Sequence, residues 1–448
     1  MSIGSDEKAW NMVKKATLII LLSVFVFSLF FSQGCGSLGR DNNATTILTV
    51  AVAGGLAAVA MSNPRNPNAS TTTTITGTTT TRPISTTTTH TTTTGTGSTT
   101  TVTFSSTTVT VITPGGTFNV QNITHTGTFT GNIYCDIVMD RINTDQVHIS
   151  YYDRLQEDLK HAWGKIDNWQ TEIIDSDWDV GQYTSIANDS NNKLHISYYA
   201  PRDSALAYTT NSTGSWEITT VDDPLDDVGY FSSIALDSNG HSHIAYYDDT
   251  SETLRYATNQ SGSWVIQTVS ISQRGKYCSL ALDSNNKAHV SYFIESSQNL
   301  GYATNKNGIW DSEVIDISVP VAWYTSIAVD NNNIAHISYY DAAQKRLKYA
   351  FGSLGLWTVR VVDSNIGVGE QNDLALDSTG NPHISYYDST NGNLKYAKNI
   401  GGSGWILSTI DNDGNVGQDT AITIDNNDKV HIAYYHTDEY LLRYAVQQ

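Results

Sequence analysis

Apolar and polar residues alternate in short stretches along the C-terminal part of the chain, and the string HISYYD or a near copy recurs at a regular interval. Such alternation predicts short β-strands with one buried face. The seven copies are 46–48 residues apart and begin at His148, His195, His243, His289, His336, His383 and His431. Each unit, as in residues 231–269, holds four stretches separated by turns rich in Asn, Gly and Ser. Four antiparallel strands per repeat of this length are typical of a β-propeller blade.

The two ends of the repeat region predict how the ring closes. The seventh unit stops at YLLRYAVQQ, after its third stretch, and lacks the fourth stretch with its Trp. Residues 115–127, upstream of the first unit, align with the fourth stretch of other units, and Phe118 takes the position of Trp216. We therefore predict an all-β fold. It is a seven-bladed β-propeller of four-stranded antiparallel blades, closed by an N-terminal strand near 117–124 that completes the last blade.

The first 35 residues predict export. Lys14 and Lys15 precede the apolar run of residues 17–32, which is short for a membrane span but typical of a secretory signal. The following SQGCGS resembles a bacterial lipoprotein processing site with Cys35 as the acylated residue. Met12 begins a more ordinary signal sequence and is the expected start, whereas an uncleaved anchor helix is the alternative. We expect an exported, membrane-anchored lipoprotein at the cell surface or in the periplasm.

Composition divides the rest of the chain. Residues 71–113 contain 26 Thr in 43 positions, and such a tract lacks the large apolar side chains that offset the entropy of ordering. The predicted domains are an export segment at 1–35, a disordered Thr-rich tether at 36–114 and the propeller at 115–448, which we expect to be monomeric. The formal net charge of −19 disfavours nucleic acid as a partner, because phosphate backbones are repelled. Three cysteines cannot form a disulfide framework.

Most residues that recur in every unit are predicted to serve packing. Nineteen of the 25 tyrosines lie in the YY and L-x-Y-A strings, and each repeat histidine follows an Asp by six residues, or by eight in the first unit. That spacing across a tight hairpin predicts a hydrogen bond between the two, as in Asp237 and His243, rather than a ring of metal ligands. Tryptophans that are predicted to pack between neighbouring blades are Trp169, Trp216, Trp264, Trp310, Trp357 and Trp405.

Binding residues are expected in the variable loops that enter the innermost strands, because propeller function tends to lie in loops that a rigid scaffold positions. These loops combine carboxylates with aromatic side chains. The candidate ligand-binding residues are Asp177, Trp178, Asp179, Asp226, Asp227, Tyr230 and Trp323. Asp411 and Asp413 have the D-x-D spacing that could hold Ca²⁺, the one cofactor we consider. The alternative is that all these acidic loops are solvated turns.

Two short motifs resemble those of known propeller families. The hairpin N-x-x-G-S-W at residues 211–216 and 259–264 resembles the Asp-box of sialidase-like propellers. The combination of I-S-Y-Y-D, L-x-Y-A and Trp is similar to the repeats of propeller lectins that bind fucose. These resemblances imply a glycan ligand. However, the arginine triad of sialidases and the recurring arginine of the lectins have no counterpart that we can place, so family activity does not transfer residue by residue.

The leading functional hypothesis is noncatalytic recognition of a carbohydrate or a protein, displayed on a lipid-anchored stalk. We assign no catalytic residue, since the sequence contains no P-loop, no H-E-x-x-H and no Ser-His-Asp ordering. Two alternatives stay open. One is a glycan-active enzyme, a sialidase-like hydrolase or a lyase, that uses the central funnel of the propeller. The other is a structural component of the cell envelope.

Overall fold

The computed structural model describes residues 47–52, 55–60, 85–86, 108–126, 131–222, 226–270, 275–317, 323–402 and 404–448. The export segment with Met12 and Cys35, and most of the predicted tether, lie outside these residues. The chain forms two compact units, residues 1–82 and 83–448. In the first unit, the apolar stretches β1 (Ile47–Val52) and β2 (Gly55–Ala60) pair as an antiparallel hairpin within the predicted tether. The described residues include no helix with the length and hydrophobicity needed to span a membrane.

The second unit is a ring of seven antiparallel sheets, one for each sequence repeat. Blade 1 consists of β6 (Asp136–Met139), β7 (Val147–Asp153), β8 (Asp158–Lys165) and β9 (Asn168–Asp175). Blade 2 consists of β10 (Gln182–Asn188), β11 (Leu194–Ala200), β12 (Ala205–Thr210) and β13 (Glu217–Asp222). Blade 3 consists of β14 (Val228–Leu236), β15 (Ser242–Asp248), β16 (Thr253–Thr258) and β17 (Val265–Ser270). Blade 4 consists of β18 (Gly275–Leu282), β19 (Ala288–Ile294), β20 (Asn299–Thr304) and β21 (Asp311–Asp316). Blade 5 consists of β22 (Trp323–Val329), β23 (Ala335–Asp341), β24 (Arg346–Ser353) and β25 (Leu356–Asp363). Blade 6 consists of β26 (Val368–Leu376), β27 (Pro382–Asp388), β28 (Asn393–Asn399) and β29 (Trp405–Asp411). Blade 7 consists of β30 (Val416–Ile424), β31 (Val430–His436), β32 (Leu441–Gln447), β5 (Gly116–His125), β4 (Thr108–Thr113) and β3 (Ser85–Thr86).

The innermost strands of the seven blades contact one another in cyclic order, from β6 through β10, β14, β18, β22 and β26 to β30 and back to β6. The predicted closure is confirmed, because β5 pairs antiparallel with β32 and supplies the fourth strand of blade 7. One difference lies at the tether boundary. The strand β4 precedes residue 115, yet it pairs with β5 as an additional strand. Val109 and Val111 explain this addition, since both pack against the apolar core of blade 7.

The recurring tryptophans pack between blades as predicted. Each indole meets, edge to face, a ring on the third strand of the preceding blade, for example Trp310 against Tyr256 with ring centroids 5.0 Å apart. The equivalent pairs are Trp169–Tyr444, Trp216–His161, Trp264–Tyr208, Trp357–Tyr302 and Trp405–Tyr349. Phe118 completes the set at 5.5 Å from Tyr396 and is fully buried. Every blade junction therefore contains the same aromatic contact.

The repeat histidines have two partners, of which the sequence predicted one. The predicted hydrogen bond from Nε2 to the aspartate forms only in His148 to Asp140 (3.1 Å) and His383 to Asp377 (3.4 Å). In four other units, including His243 and Asp237, the two groups are 3.6–3.7 Å apart, so the prediction is wrong for the pair it named. A closer contact joins Nδ1 to a tyrosine hydroxyl thirteen residues later, as in His289 and Tyr302 at 2.6 Å. In blade 1 the second partner is His161 instead. Burial lowers the pKa of all seven histidines, so they are neutral at physiological pH.

A buried charge cluster, the interblade clamp, joins several neighbouring blades. An aspartate at the end of an outermost strand accepts hydrogen bonds from a tyrosine and from a Lys or Arg of the next blade. Tyr386 donates to Asp363 Oδ2 at 2.9 Å, and Lys395 donates to the same atom. The equivalent groups are Tyr246 and Arg255 on Asp222, Tyr339 and Lys348 on Asp316, and Tyr434 and Arg443 on Asp411. Between blades 3 and 4, both charges are replaced together, by Ser270 and Gly301.

Candidate functional site

A cavity of about 290 Å³ lies on the axis of the ring, and every blade contributes to its wall. The wall includes one residue per blade that has a left-handed backbone, located in the innermost strand or, in blade 1, two residues before it. The seven residues, here called the axial ring, are Tyr134, Tyr183, Phe231, Tyr277, Tyr324, Gln371 and Asp419, with φ between 46° and 54°. The strand register shifts at this point in blades 2 to 7, as expected for a β-bulge that turns a side chain to a new direction.

Hydrogen bonds between blades hold these bulges in place. The residue that follows the axial residue of one blade donates a side-chain hydrogen bond to the backbone carbonyl of the axial residue in the preceding blade. Ser232 donates to Tyr183 O at 2.8 Å, and Thr325 donates to Tyr277 O at 2.8 Å. Left-handed backbone is unfavourable for residues other than glycine, so it persists only where the surroundings determine it. The axial ring is therefore a preformed feature of the propeller.

Five of the seven axial residues are aromatic and form one continuous row. Neighbouring ring centroids lie 4.4, 4.7, 4.5 and 4.9 Å apart along the row from Tyr134 to Tyr324. All five side chains are partly exposed. Burial raises the pKa of the Tyr134 and Tyr324 hydroxyls, so both stay protonated and can donate hydrogen bonds. The row offers apolar surface together with phenol donors in one cavity.

Gln371 and Asp419 interrupt the row and supply its polar part. Gln371 Nε2 donates to Asp419 Oδ1 at 2.7 Å, and the backbone amide of Ile133 donates to Asp419 Oδ2 at 2.6 Å. Burial raises the pKa of Asp419 to about 6, although the backbone amides of Ile133 and Tyr134 and the positive charge of Arg154 favour the ionised form. The carboxyl group therefore changes its charge just below neutral pH.

Three of the loop residues that the sequence singled out contact the axial ring directly or through one another, although none of them lines the cavity. Tyr230 packs against Tyr183 with ring centroids 5.5 Å apart, and its hydroxyl donates to Asp227 Oδ2 at 3.1 Å. Trp323 stacks on Tyr277 at 6.3 Å and is 42% exposed. The structure thus connects Asp227, Tyr230 and Trp323 to the axial ring.

The other predicted ligand-binding residues have different surroundings. Asp226 forms an ion pair with Arg255 of the interblade clamp at 3.2 Å. Asp179 accepts a hydrogen bond from the Tyr152 hydroxyl at 2.7 Å, and Asp177 is paired with Arg202 at the surface. Trp178 is 75% exposed. A ligand role for these loop residues stays a prediction.

The suggested calcium pair has a cation of its own. Asp411 belongs to an interblade clamp and receives Arg443 Nη1 at 2.8 Å, while Arg443 Nη2 lies 3.5 Å from Asp413. The amide of Asp413 also donates to Asp411 Oδ1, as in the solvated-turn alternative. Within the part of the chain that the structure describes, no group of three or more His, Cys, Asp or Glu side chains is arranged to hold a metal ion. The structure thus gives no support to calcium binding at this pair.

The sequence interpretation missed the axial ring, although the repeat contains a signal for it. Four of the six tyrosines outside the YY and L-x-Y-A strings belong to it, namely Tyr134, Tyr183, Tyr277 and Tyr324. They stand three positions before the recurring Ile or Leu of the innermost strand, the column in which the last two units place Gln371 and Asp419. Aligning the units by this Ile or Leu would have shown an aromatic column with two polar exceptions.

No protein-family model matches the sequence, and no curated protein is similar enough in sequence to count as a relative. Among solved structures, the chain is similar to catalytically inactive virginiamycin B lyase from Staphylococcus aureus with quinupristin (TM-score 0.51, 12% identity, covering 74% of this chain and 100% of that chain). It is also similar to the Aleuria aurantia lectin with α-methyl-L-fucoside (0.44, 12%, 63% and 96%) and to a mutant NanB sialidase from Streptococcus pneumoniae (0.40, 11%, 72% and 70%). At such identities the similarity shows the fold alone, and that fold is a β-propeller.

Proposed function

We propose that the protein is a cell-surface recognition protein that binds a carbohydrate in its axial cavity without altering it chemically. The observation that carries this proposal is the axial ring, in which five aromatic side chains and two hydrogen-bonding side chains share one preformed cavity. Small-ligand sites typically combine apolar and aromatic walls with a few well-placed polar groups. A sugar has both kinds of surface, since its C–H faces pack on aromatic rings and its hydroxyls bond to amides and carboxylates.

Export and lipid anchoring at Cys35 belong to the same proposal, because a recognition protein on a tether must face its ligand outside the cell. The apolar run of residues 17–32 and the SQGCGS string support this part. Mass spectrometry of the mature protein tests it. A diacylated N-terminal Cys35 is the expected result, and an unmodified peptide spanning Cys35 contradicts it.

A glycan array with the full-length protein tests carbohydrate binding, and two aromatic variants locate the site. Tyr324→Ala removes one axial ring and should weaken binding about two- to twelvefold, because an aromatic contact contributes about 0.5–1.5 kcal/mol and 1.4 kcal/mol corresponds to a factor of ten. Trp178→Ala removes an exposed aromatic ring from a loop that the sequence predicts to bind the ligand, so it tests the loops as the alternative site. If only Trp178→Ala reduces binding, the loops form the site instead of the cavity. Absence of any glycan binding contradicts the proposal.

The second candidate is a glycan-active enzyme, and the pKa of Asp419 is the observation that favours it. A carboxyl group with a pKa near 6 in a cavity can serve as a general acid close to neutral pH. Incubation of array-positive glycans with the protein distinguishes the two functions. Product formation that Asp419→Asn abolishes would establish the enzyme, whereas unchanged glycan after prolonged incubation favours the recognition protein.

A further inference from the structure

The aromatic row of the axial ring is most open at its two ends. Neighbouring rings are inclined by 44°, 57°, 47° and 56°, close to the angle of about 51° between sectors of a seven-fold ring. Centroids less than 5 Å apart place each ring in contact with the next. The rings are therefore arranged radially around the axis, each rotated by about one blade relative to the next. Tyr183, Phe231 and Tyr277 each have a ring on both sides, so their faces are less accessible to a ligand than those at the ends of the row.

The ends of the row are Tyr324 and Tyr134, and the two positions between them hold Gln371 and Asp419. We call this interruption the axial gap. Its floor is the hydrogen-bonded pair of Gln371 and Asp419, which the backbone amide of Ile133 fixes in position. Both side chains are partly exposed. The axial gap is the one sector of the ring that combines an accessible aromatic face with side chains that can bond to a ligand.

We propose that the saccharide binds off the axis in the axial gap, with its apolar face against Tyr324 or Tyr134 and its polar groups toward Gln371 and Asp419. This inference rests on the proposed function and specifies its ligand class. Oxygen atoms of Gln371 and Asp419 accept hydrogen bonds, so the bound unit presents hydroxyl or amino donors. A carboxylate or sulfate at this position would face the ionised carboxyl of Asp419, and like charges in contact repel each other. The ligand is therefore a neutral or amino-bearing sugar.

Gln371→Tyr tests the position, because it continues the aromatic row into the gap. Tyrosine is already found with the same backbone conformation at four axial positions, so this substitution adds no new strain. Gln298→Tyr is the matched control, since it makes the same exchange at an exposed turn residue with φ of 55° that does not line the cavity, and blade 7 has Tyr440 at the equivalent position. The probe is a glycan array that carries neutral, amino-bearing and acidic saccharides. Thermal unfolding of both full-length variants verifies that they fold.

We expect wild type and Gln298→Tyr to bind the same neutral or amino-bearing glycans, and Gln371→Tyr to bind them at least tenfold more weakly with an unchanged melting temperature. If Gln371→Tyr binds like wild type, the position in the gap is wrong while carbohydrate binding stands. If the bound glycans are mainly acidic, the ligand class is wrong. If wild type binds no glycan, the proposed function itself fails. Should Gln371→Tyr not fold, Gln371→Phe and Gln371→Leu provide the same comparison, provided that their melting temperatures equal that of wild type.

Discussion

The interblade clamp between blades 5 and 6 allows a stringent test of what holds the ring together. Asp363 is fully buried at the end of blade 5, and blade 6 provides its donors, Lys395 and Tyr386. Burial tends to raise the pKa of Asp363, but the hydrogen bond and charge of Lys395 outweigh this and lower it. Asp363→Ser should therefore leave a buried ammonium group without its counter-charge. Removing one partner of a buried ion pair typically costs about 3–5 kcal/mol.

The junction between blades 3 and 4 shows how the cost can be relieved. There Ser270 and Gly301 occupy the positions of Asp363 and Lys395, so the negative and the positive group are absent together. The double variant Asp363→Ser/Lys395→Gly copies this natural combination. We expect it to be more stable than Asp363→Ser alone, with a coupling energy of about 1–3 kcal/mol, because no uncompensated charge remains buried.

Urea unfolding of the full-length protein, followed by tryptophan fluorescence, measures the stability of wild type, Asp363→Ser, Lys395→Gly and the double variant. These four proteins form a double-mutant cycle. Asp145→Ser is the control, since Asp145 pairs with Lys165 at the surface and such pairs contribute about 0–1 kcal/mol. The reasoning is refuted if Asp363→Ser costs no more than Asp145→Ser. It is also refuted if the double variant loses the sum of the two single losses, because the two side chains would then act independently.

Two further predictions concern ring closure and acid stability. Phe118→Ala should lower the free energy of unfolding, measured in urea, by about 3–5 kcal/mol, since the phenyl ring of Phe118 is fully buried at the closing strand. A loss below about 1 kcal/mol would contradict closure by β5. Acidification from pH 7 to pH 4.5 should lower the melting temperature, because burial lowers the pKa of His148 and His431 from 6.5 to about 4 and the unfolded chain binds more protons in this interval. Each of these two shifts corresponds to about 3 kcal/mol, which Asp136 and Asp419 partly offset, as burial raises their pKa values to about 6. A melting temperature that rises on acidification would show that the carboxyl groups dominate.

The sequence was sufficient for the fold because the propeller is periodic. A residue that recurs every 46–48 positions must have the same neighbours in every blade, so one unit explains all seven. Phe118 illustrates the strength of this argument. Its alignment with Trp216 predicted both the closing strand and the aromatic contact that it makes with blade 6. The strand β4 was not predicted, because it lies within the Thr-rich tract of residues 71–113 and no repeat position corresponds to it.

The candidate site was harder to predict because it depends on backbone conformation. An axial residue such as Tyr183 lies in a strand, where strict alternation would place it on one face of the sheet. The left-handed φ of 52° and the accompanying register shift turn it toward the axis instead. Neither feature can be read from side-chain periodicity, since tyrosine rarely adopts this conformation and has no sequence signature for it.

A second reason is that recurrence along the sequence does not tell how far a residue lies from the axis of the ring. In a closed ring, the distance between equivalent residues depends on how far they lie from the axis. Tyr134 and Tyr183 belong to different blades, yet their ring centroids are 4.4 Å apart, because both lie at the axis. A recurring residue near the axis therefore builds one shared surface, whereas the same recurrence at the rim yields seven separate positions. Where such an axial column departs from its own pattern, as at Gln371 and Asp419, the departure falls within a single cavity, and binding specificity is best sought there.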